Sequence, residues 1–239
     1  MTFNHYLKYE KERSLDCAQK IYSGYLINAK YKTAQGILDN LKDDHEKNKF
    51  LKTSFFYFHR GWNIANKSGW QEEFDEGFIF IVLIAVIETI MSQTEHLNFG
   101  EWVKRNNKNK TDDAGILWEE YSAIFGINKK VKDFFEKYID EDDKDVFLSC
   151  FLHWDRAENK MVKYNNLSKI ANLFYSLRSE YVHCSEIIPV RENVTGYFSF
   201  KGVDHSCRMD FKKIREILEA SFFNYFLDKA GESKIVEVK

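Results

Sequence analysis

Proline is almost missing from this chain: Pro189 is the only one in 239 residues. Few Pro-marked turns and few enforced helix breaks follow, so the chain reads as α-rich. Cysteine is sparse and scattered, at Cys17, Cys150, Cys184 and Cys207. That pattern is no disulfide framework; with the polar N-terminus MTFNHYLKYEKER and no secretory leader, it implies reduced thiols and a cytoplasmic location. A basic excess is also lacking. The formal net charge is −2 and the pI about 6.4, which excludes a protein that coats nucleic acid by bulk electrostatics and leaves only local, transient RNA contact. The longest apolar run, FIFIVLIAVIETIMS (78–92), falls short of the ~20 residues a membrane span needs and is interrupted by Glu88. No phosphate-binding G-x-x-x-x-G-K-[ST], dinucleotide-binding G-x-G-x-x-G, hydrolase G-x-S-x-G or zinc-protease H-E-x-x-H occurs.

What is abundant is phenylalanine. Aromatic residues make up 16% of the chain, with 21 Phe and 13 Tyr. The first reading is a core built from Phe; a base-stacking surface would need exposed rings. No internal repeat, low-complexity tract or Pro/Gly/Ser-rich linker appears. The expectation is one elaborated helical domain over residues 1–239.

Helical spacing runs from His5 to about Tyr25 and again from Ala34 to Leu41, after which LKDDHEKNK reads as a solvated helix end or loop. Residues 50–65 are dense in aromatics and carry His59 and Arg60 side by side, read as an exposed pair. Residues 66–69 read as a loop. Residues 78–92 form the central buried helix. Asn98 to Asp113, with Lys104, Arg105, Lys108 and Lys110 among asparagines, reads as a solvated loop; its second reading guides a phosphate backbone toward a cleft. Ile116–Gly126, Lys130–Tyr138 and Val146–Trp154 read as helices. GYFSFKGVDHSCRMDF reads as a hairpin with Gly202 and Asp204 in or near its turn, followed by a closing helix from Lys212 to Asp228.

One stretch organises the rest. In LSKIANLFYSLRSEYVHCSEI (167–187) apolar residues recur at Leu167, Ile170, Ala171, Leu173, Phe174, Leu177 and Tyr181, the stripe of a core-facing helix. Arg178 and His183 sit at its far end with four residues between them. Five steps of an ideal helix turn through about 140° and rise about 7.5 Å. The two converge only if the helix ends or bends near Val182, or if a second copy supplies the matching pair. A cation suits that end, where the last carbonyls carry partial negative charge.

Arg178 and His183 resemble the R-x(4–6)-H motif of the HEPN superfamily. The longer run from Tyr175 through Arg178, Ser179 and Val182 to His183 is similar to its ApeA-like, abortive-infection-like subgroup. The resemblance covers residues 72–230 and implies a HEPN-type helical bundle with a small β-hairpin near the C-terminus. Residues 1–70 are then an N-terminal helical extension. It also implies a metal-independent endoribonuclease of a toxin–antitoxin or anti-phage defence system, working as a homodimer that sets two motifs in one cleft. RNA would be a transient partner and an antitoxin or regulatory protein a further one. No cofactor and no membrane partner are expected.

The chemistry of the pair fits that implication. Histidine, with an ordinary pKa of about 6.5, suits proton transfer from a ribose 2′-OH. Arginine stays charged and offers forked donors to phosphate. Glu88, in Ala85-Val86-Ile87-Glu88, has two readings: a partner that orients Arg178 or His183, or an acid at a helix end or surface. Ser179 follows the arginine where many members have Asn, Asp or His. Tyr181 stands one turn after Arg178 and either donates to phosphate or packs in the core. A rival constellation, His183-Cys184 with His205 and Cys207, offers four zinc-type ligands, but its spacing matches no standard zinc site. Two functions compete: the ribonuclease, and a non-catalytic HEPN scaffold that binds a partner protein or nucleotide.

Overall fold

The computed structural model describes residues 3–66, 75–92, 99–106, 113–155, 159–184, 195–200 and 203–231. In chain order the elements are α1 (Phe3–Ile21), α2 (Ser23–Leu26), α3 (Ala34–Asn40), α4 (Asp44–Tyr57), a π-helical turn (Phe58–Trp62), α5 (Asn63–Ala65), α6 (Asp75–Ile90), α7 (Phe99–Arg105), α8 (Ala114–Phe125), α9 (Ile127–Tyr138) and α10 (Glu141–Ser149). Strands β1 (Phe151–Asp155) and β2 (Lys160–Lys163) follow, then α11 (Leu167–Cys184), β3 (Thr195–Phe200), β4 (Val203–Met209) and α12 (Phe211–Lys229). The fold is mainly α, with a small antiparallel sheet. Among the described residues no helix is long and apolar enough to cross a membrane.

Phenylalanine builds the core. Phe80 meets Phe174 at 4.4 Å between ring centroids, and Phe135 meets Phe174 edge-on at 5.1 Å, so α6, α9 and α11 lock through three rings. Phe134 reaches Phe222 of α12 at 5.6 Å. The same apolar cluster takes in Ala18, Ile37, Phe50 and Tyr57, so α1, α3 and α4 share one continuous core with the later helices. Helix starts are fixed by capping. Asp43 accepts from the Glu46 N–H, Asn166 from the Lys169 N–H and Asp210 from the Lys213 N–H, each satisfying a donor the helix itself leaves unpaired.

The structure corrects several expectations. Residues 44–49, read as a helix end or loop, form the first turns of α4, where Lys49 is buried against Glu46 and Tyr225. Residues 99–105, read as a solvated loop, form α7, because Trp102 buries itself against Leu117 and Tyr121 of α8 in a small separate cluster. The helix expected over Val146–Trp154 stops at Ser149, and Phe151–Asp155 is a strand. Its apolar residues at 147, 150, 151 and 154 fit a helical period as well as a strand, and pairing with distant segments decides the matter. The expected hairpin is β3–β4, but it is half of a sheet of order β2-β1-β4-β3, in which Phe151 faces Met209 and His153 faces Cys207. Asp204 lies in β4, paired with Ser199 next to the closing pair Phe200–Val203, and so near the turn as expected. Gly202, residues 67–69 and residues 187–190 lie outside the described residues.

Candidate active site on the α6, α9 and α11 faces

Helix α6 is buried nearly all round; Ile81, Ala85, Glu88 and Thr89 form its least buried stripe. Glu88 therefore leaves the core near the helix end, where α9 and α11 pass. Arg178 stands on the late half of α11, and its Nε lies 3.2 Å from Glu88 Oε1. The two side chains are 27% and 24% exposed, so the pair is neither sealed in nor fully hydrated. The contact is an ion pair, and among the described residues Oε1 accepts no well-formed hydrogen bond. Of the two readings of Glu88, the contact with Arg178 is present, and the carboxylate also lies near a helix end.

Electrostatics place a third residue here. Burial pushes the Glu88 carboxyl above its usual range, against the pull of Arg178 first and Lys130 second. Burial likewise pulls the Lys130 ammonium down, and Glu88 partly restores it. Glu88, Arg178 and Lys130 thus form a half-buried trio on α6, α11 and α9. Lys130 was not legible in the sequence. It is one of several lysines on a strongly amphipathic helix, and only the packing of α9 on α6 singles it out.

The backbone of α11 stays helical through His183 to Cys184. The helix thus ends two residues beyond Val182; along a regular helix positions 178 and 183 are about 140° apart. The side chains of His183 and Tyr181 lie outside the described residues. Ser179 is half-buried and continues the stripe of Ser168, Asn172 and Tyr175 by helical spacing. Lys104 and Arg105 are exposed in the last turn of α7, and Lys108 lies outside the described residues.

The other constellations resolve differently. His59 sits in the π-helical turn, packed on Phe55 at 4.4 Å and 3.9 Å from Cys17 Sγ, while Arg60 is exposed. Burial first, then Arg13, Arg60 and Lys20, hold the His59 imidazolium below its ordinary pKa. His153 packs on Tyr164 at 4.7 Å. His205 and Cys207 stand two apart on β4, and their side chains, with those of His183 and Cys184, lie outside the described residues. Among the described residues no three His, Cys, Asp or Glu side chains gather as metal ligands.

No protein-family model, curated protein or solved structure matches the chain.

Proposed function

We propose that the protein is a HEPN-type endoribonuclease whose cleavage needs no metal, in the setting of a toxin or anti-phage defence system. The observation that carries the reading is Arg178, a quarter exposed on the late half of an amphipathic helix and held by Glu88, with His183 five positions on. His183 takes the ribose 2′-OH proton; the 2′-oxygen attacks phosphorus and the 5′-oxygen leaves with a proton from an acid. The product ends are a 2′,3′-cyclic phosphate and a 5′-hydroxyl. Arg178 faces the charge that builds on the phosphoryl oxygens. Glu88 is a positioning residue, setting the direction of the guanidinium. Because positions 178 and 183 diverge on one helix, a homodimer that presents two copies of the pair supplies the base and the acid together. Ser179 and Tyr181 support the site, and Lys104, Arg105 and Lys108 receive the RNA backbone. The protein is cytoplasmic in this reading, with an antitoxin or regulatory protein as a further partner.

The test is an RNA cleavage time course in excess EDTA with wild type, His183→Ala and Arg178→Ala. Cleavage by wild type alone, leaving cyclic phosphate ends, is the expected result. Normal cleavage by folded His183→Ala overturns the assignment. A second reading has its own observation. Glu88 and Arg178 join α6 to α11, as a purely structural pair would, and this favours a non-catalytic scaffold that binds a partner protein or nucleotide. In that case wild type does not cleave, and Arg178→Ala lowers the melting temperature without another effect.

A further inference from the structure

A groove of about 700 Å³ opens between α8, α9 and the first half of α11. Its walls carry Trp118 and Phe125 from α8, Asn128, Lys129 and Lys132 from α9, and Tyr175 from α11. We propose that this groove holds an unpaired base of a single-stranded RNA, with its flanking phosphate on Lys129 and Lys132. The proposal rests on the ribonuclease reading and extends it to how substrate reaches Arg178.

Three observations point to this occupant. Trp118 is 54% exposed, yet its ring is held in contact with Phe99 at 5.3 Å and Tyr121 at 5.5 Å. A large, stiff, half-open ring is what a base stacks on, and every base presents a π-face to it. Next, the groove brings amide and cation together. Asn128 is held by a hydrogen bond to Asn172 of α11, which fixes a polar edge beside the rings. Among the described residues, Lys129 and Lys132 form exposed pairs one turn along the same helix, with Asp133 at 2.6 Å and Glu136 at 3.6 Å. Such pairs are worth little, so exchanging a carboxylate for a phosphate costs little. Last, the groove shares helices α9 and α11 with the candidate site. Tyr175 precedes Arg178 by three residues, about 4.5 Å along the axis, and Lys129 adjoins Lys130, which faces Glu88.

The test uses the full chain and a fluorescently labelled single-stranded RNA whose 2′-hydroxyls are methylated, so that it binds without being cut. Anisotropy titrations compare wild type, Trp118→Ala, Trp118→Phe and Lys129→Ala/Lys132→Ala. Losing one stacking ring weakens binding by roughly 5- to 150-fold. Trp118→Phe retains most of the affinity, and the double lysine variant flattens the salt dependence. Unchanged affinity in folded Trp118→Ala, or no binding by wild type, overturns the groove assignment. Sedimentation of the same variants gives a further outcome. If Trp118→Ala converts a dimer to a monomer, the groove seats a second copy and the proposal fails. Cleavage of unmethylated RNA by the same preparations separates the two readings. Cleavage without Trp118-dependent binding sinks only the groove; Trp118-dependent binding without cleavage sinks only the nuclease.

Discussion

Replacing Glu88 by glutamine keeps the shape of the side chain and removes its charge. The ion pair lies at 3.2 Å with both side chains about a quarter exposed. At an effective dielectric of about 20, the bare attraction at that distance is about 5 kcal/mol. Yet the Glu88 carboxyl sits above its usual pKa, so the cost of burying it exceeds what Arg178 and Lys130 return. Ionised Glu88 is therefore a net load on the fold, and Glu88→Gln should be neutral or stabilising by up to ~1 kcal/mol at pH 7. Arg178→Ala is different, because it leaves the carboxylate half-buried with only Lys130 nearby. Breaking a fully buried pair costs about 3–5 kcal/mol; with this exposure about 1–2 kcal/mol is expected. For a chain of this size that lowers Tm by roughly 2–8 °C. In the Glu88→Gln background the same arginine substitution should cost less than ~0.5 kcal/mol.

The pH dependence has a definite sign. A carboxyl whose folded pKa lies above the unfolded value of about 4.3 favours the fold in its protonated form. That contribution is complete below the unfolded pKa and is lost as pH rises from there through the folded value. Wild type should therefore lose stability relative to Glu88→Gln across that window, and the difference should level off above it. Urea denaturation of the four members of the cycle, from pH 3.5 to 7, measures all of this. A Glu88→Gln protein more than about 2 kcal/mol less stable than wild type at pH 7 would refute the reasoning. So would an Arg178→Ala penalty as large in the glutamine background as in wild type. If cleavage falls in Glu88→Gln while stability does not, Glu88 acts by positioning Arg178.

Three further outcomes follow from the core. Gly61→Ala would set a Cβ 2.8 and 3.0 Å from ring carbons of Tyr57 and 3.2 Å from Val82; the ring is buried and cannot yield, so a loss of about 1–3 kcal/mol is expected in thermal melts. Tyr57→Phe removes the hydroxyl that donates to Glu219 at 2.5 Å. Burial already raises that carboxyl above its usual range, so about 1–3 kcal/mol should be lost while Glu219 is ionised, and less as pH falls through its raised folded pKa and the carboxyl gains a proton. Phe174→Ala empties the point where Phe80, Phe135 and Phe151 meet; a cost of about 3–5 kcal/mol is expected, and a calorimetric loss under 1 kcal/mol would show that the cavity collapses.

Local periodicity by itself determined the central helix α6, the organising helix α11, the closing helix α12 and the phenylalanine core. Each is a long segment whose apolar spacing repeats over several turns, and the single proline leaves such runs unbroken. The same reasoning singled out Glu88, because a carboxylate inside an apolar helix needs a partner or an outlet to solvent, but it left open whether that partner was Arg178 or His183 or whether the acid sat at a helix end. Tertiary structure alone decided the rest. The β1–β2 strands exist because β1 pairs with β4, more than fifty residues further along the chain, and the helical reading of 146–154 had no local signal against it. Helix α7 forms because Trp102 finds Tyr121, not because its polar, asparagine-rich surroundings favour a helix. Lys130 and the Trp118 groove are likewise invisible to periodicity, since both arise where separate helices meet. Burial and charge at such junctions depend on which faces pack together, and that is settled only when the whole core closes.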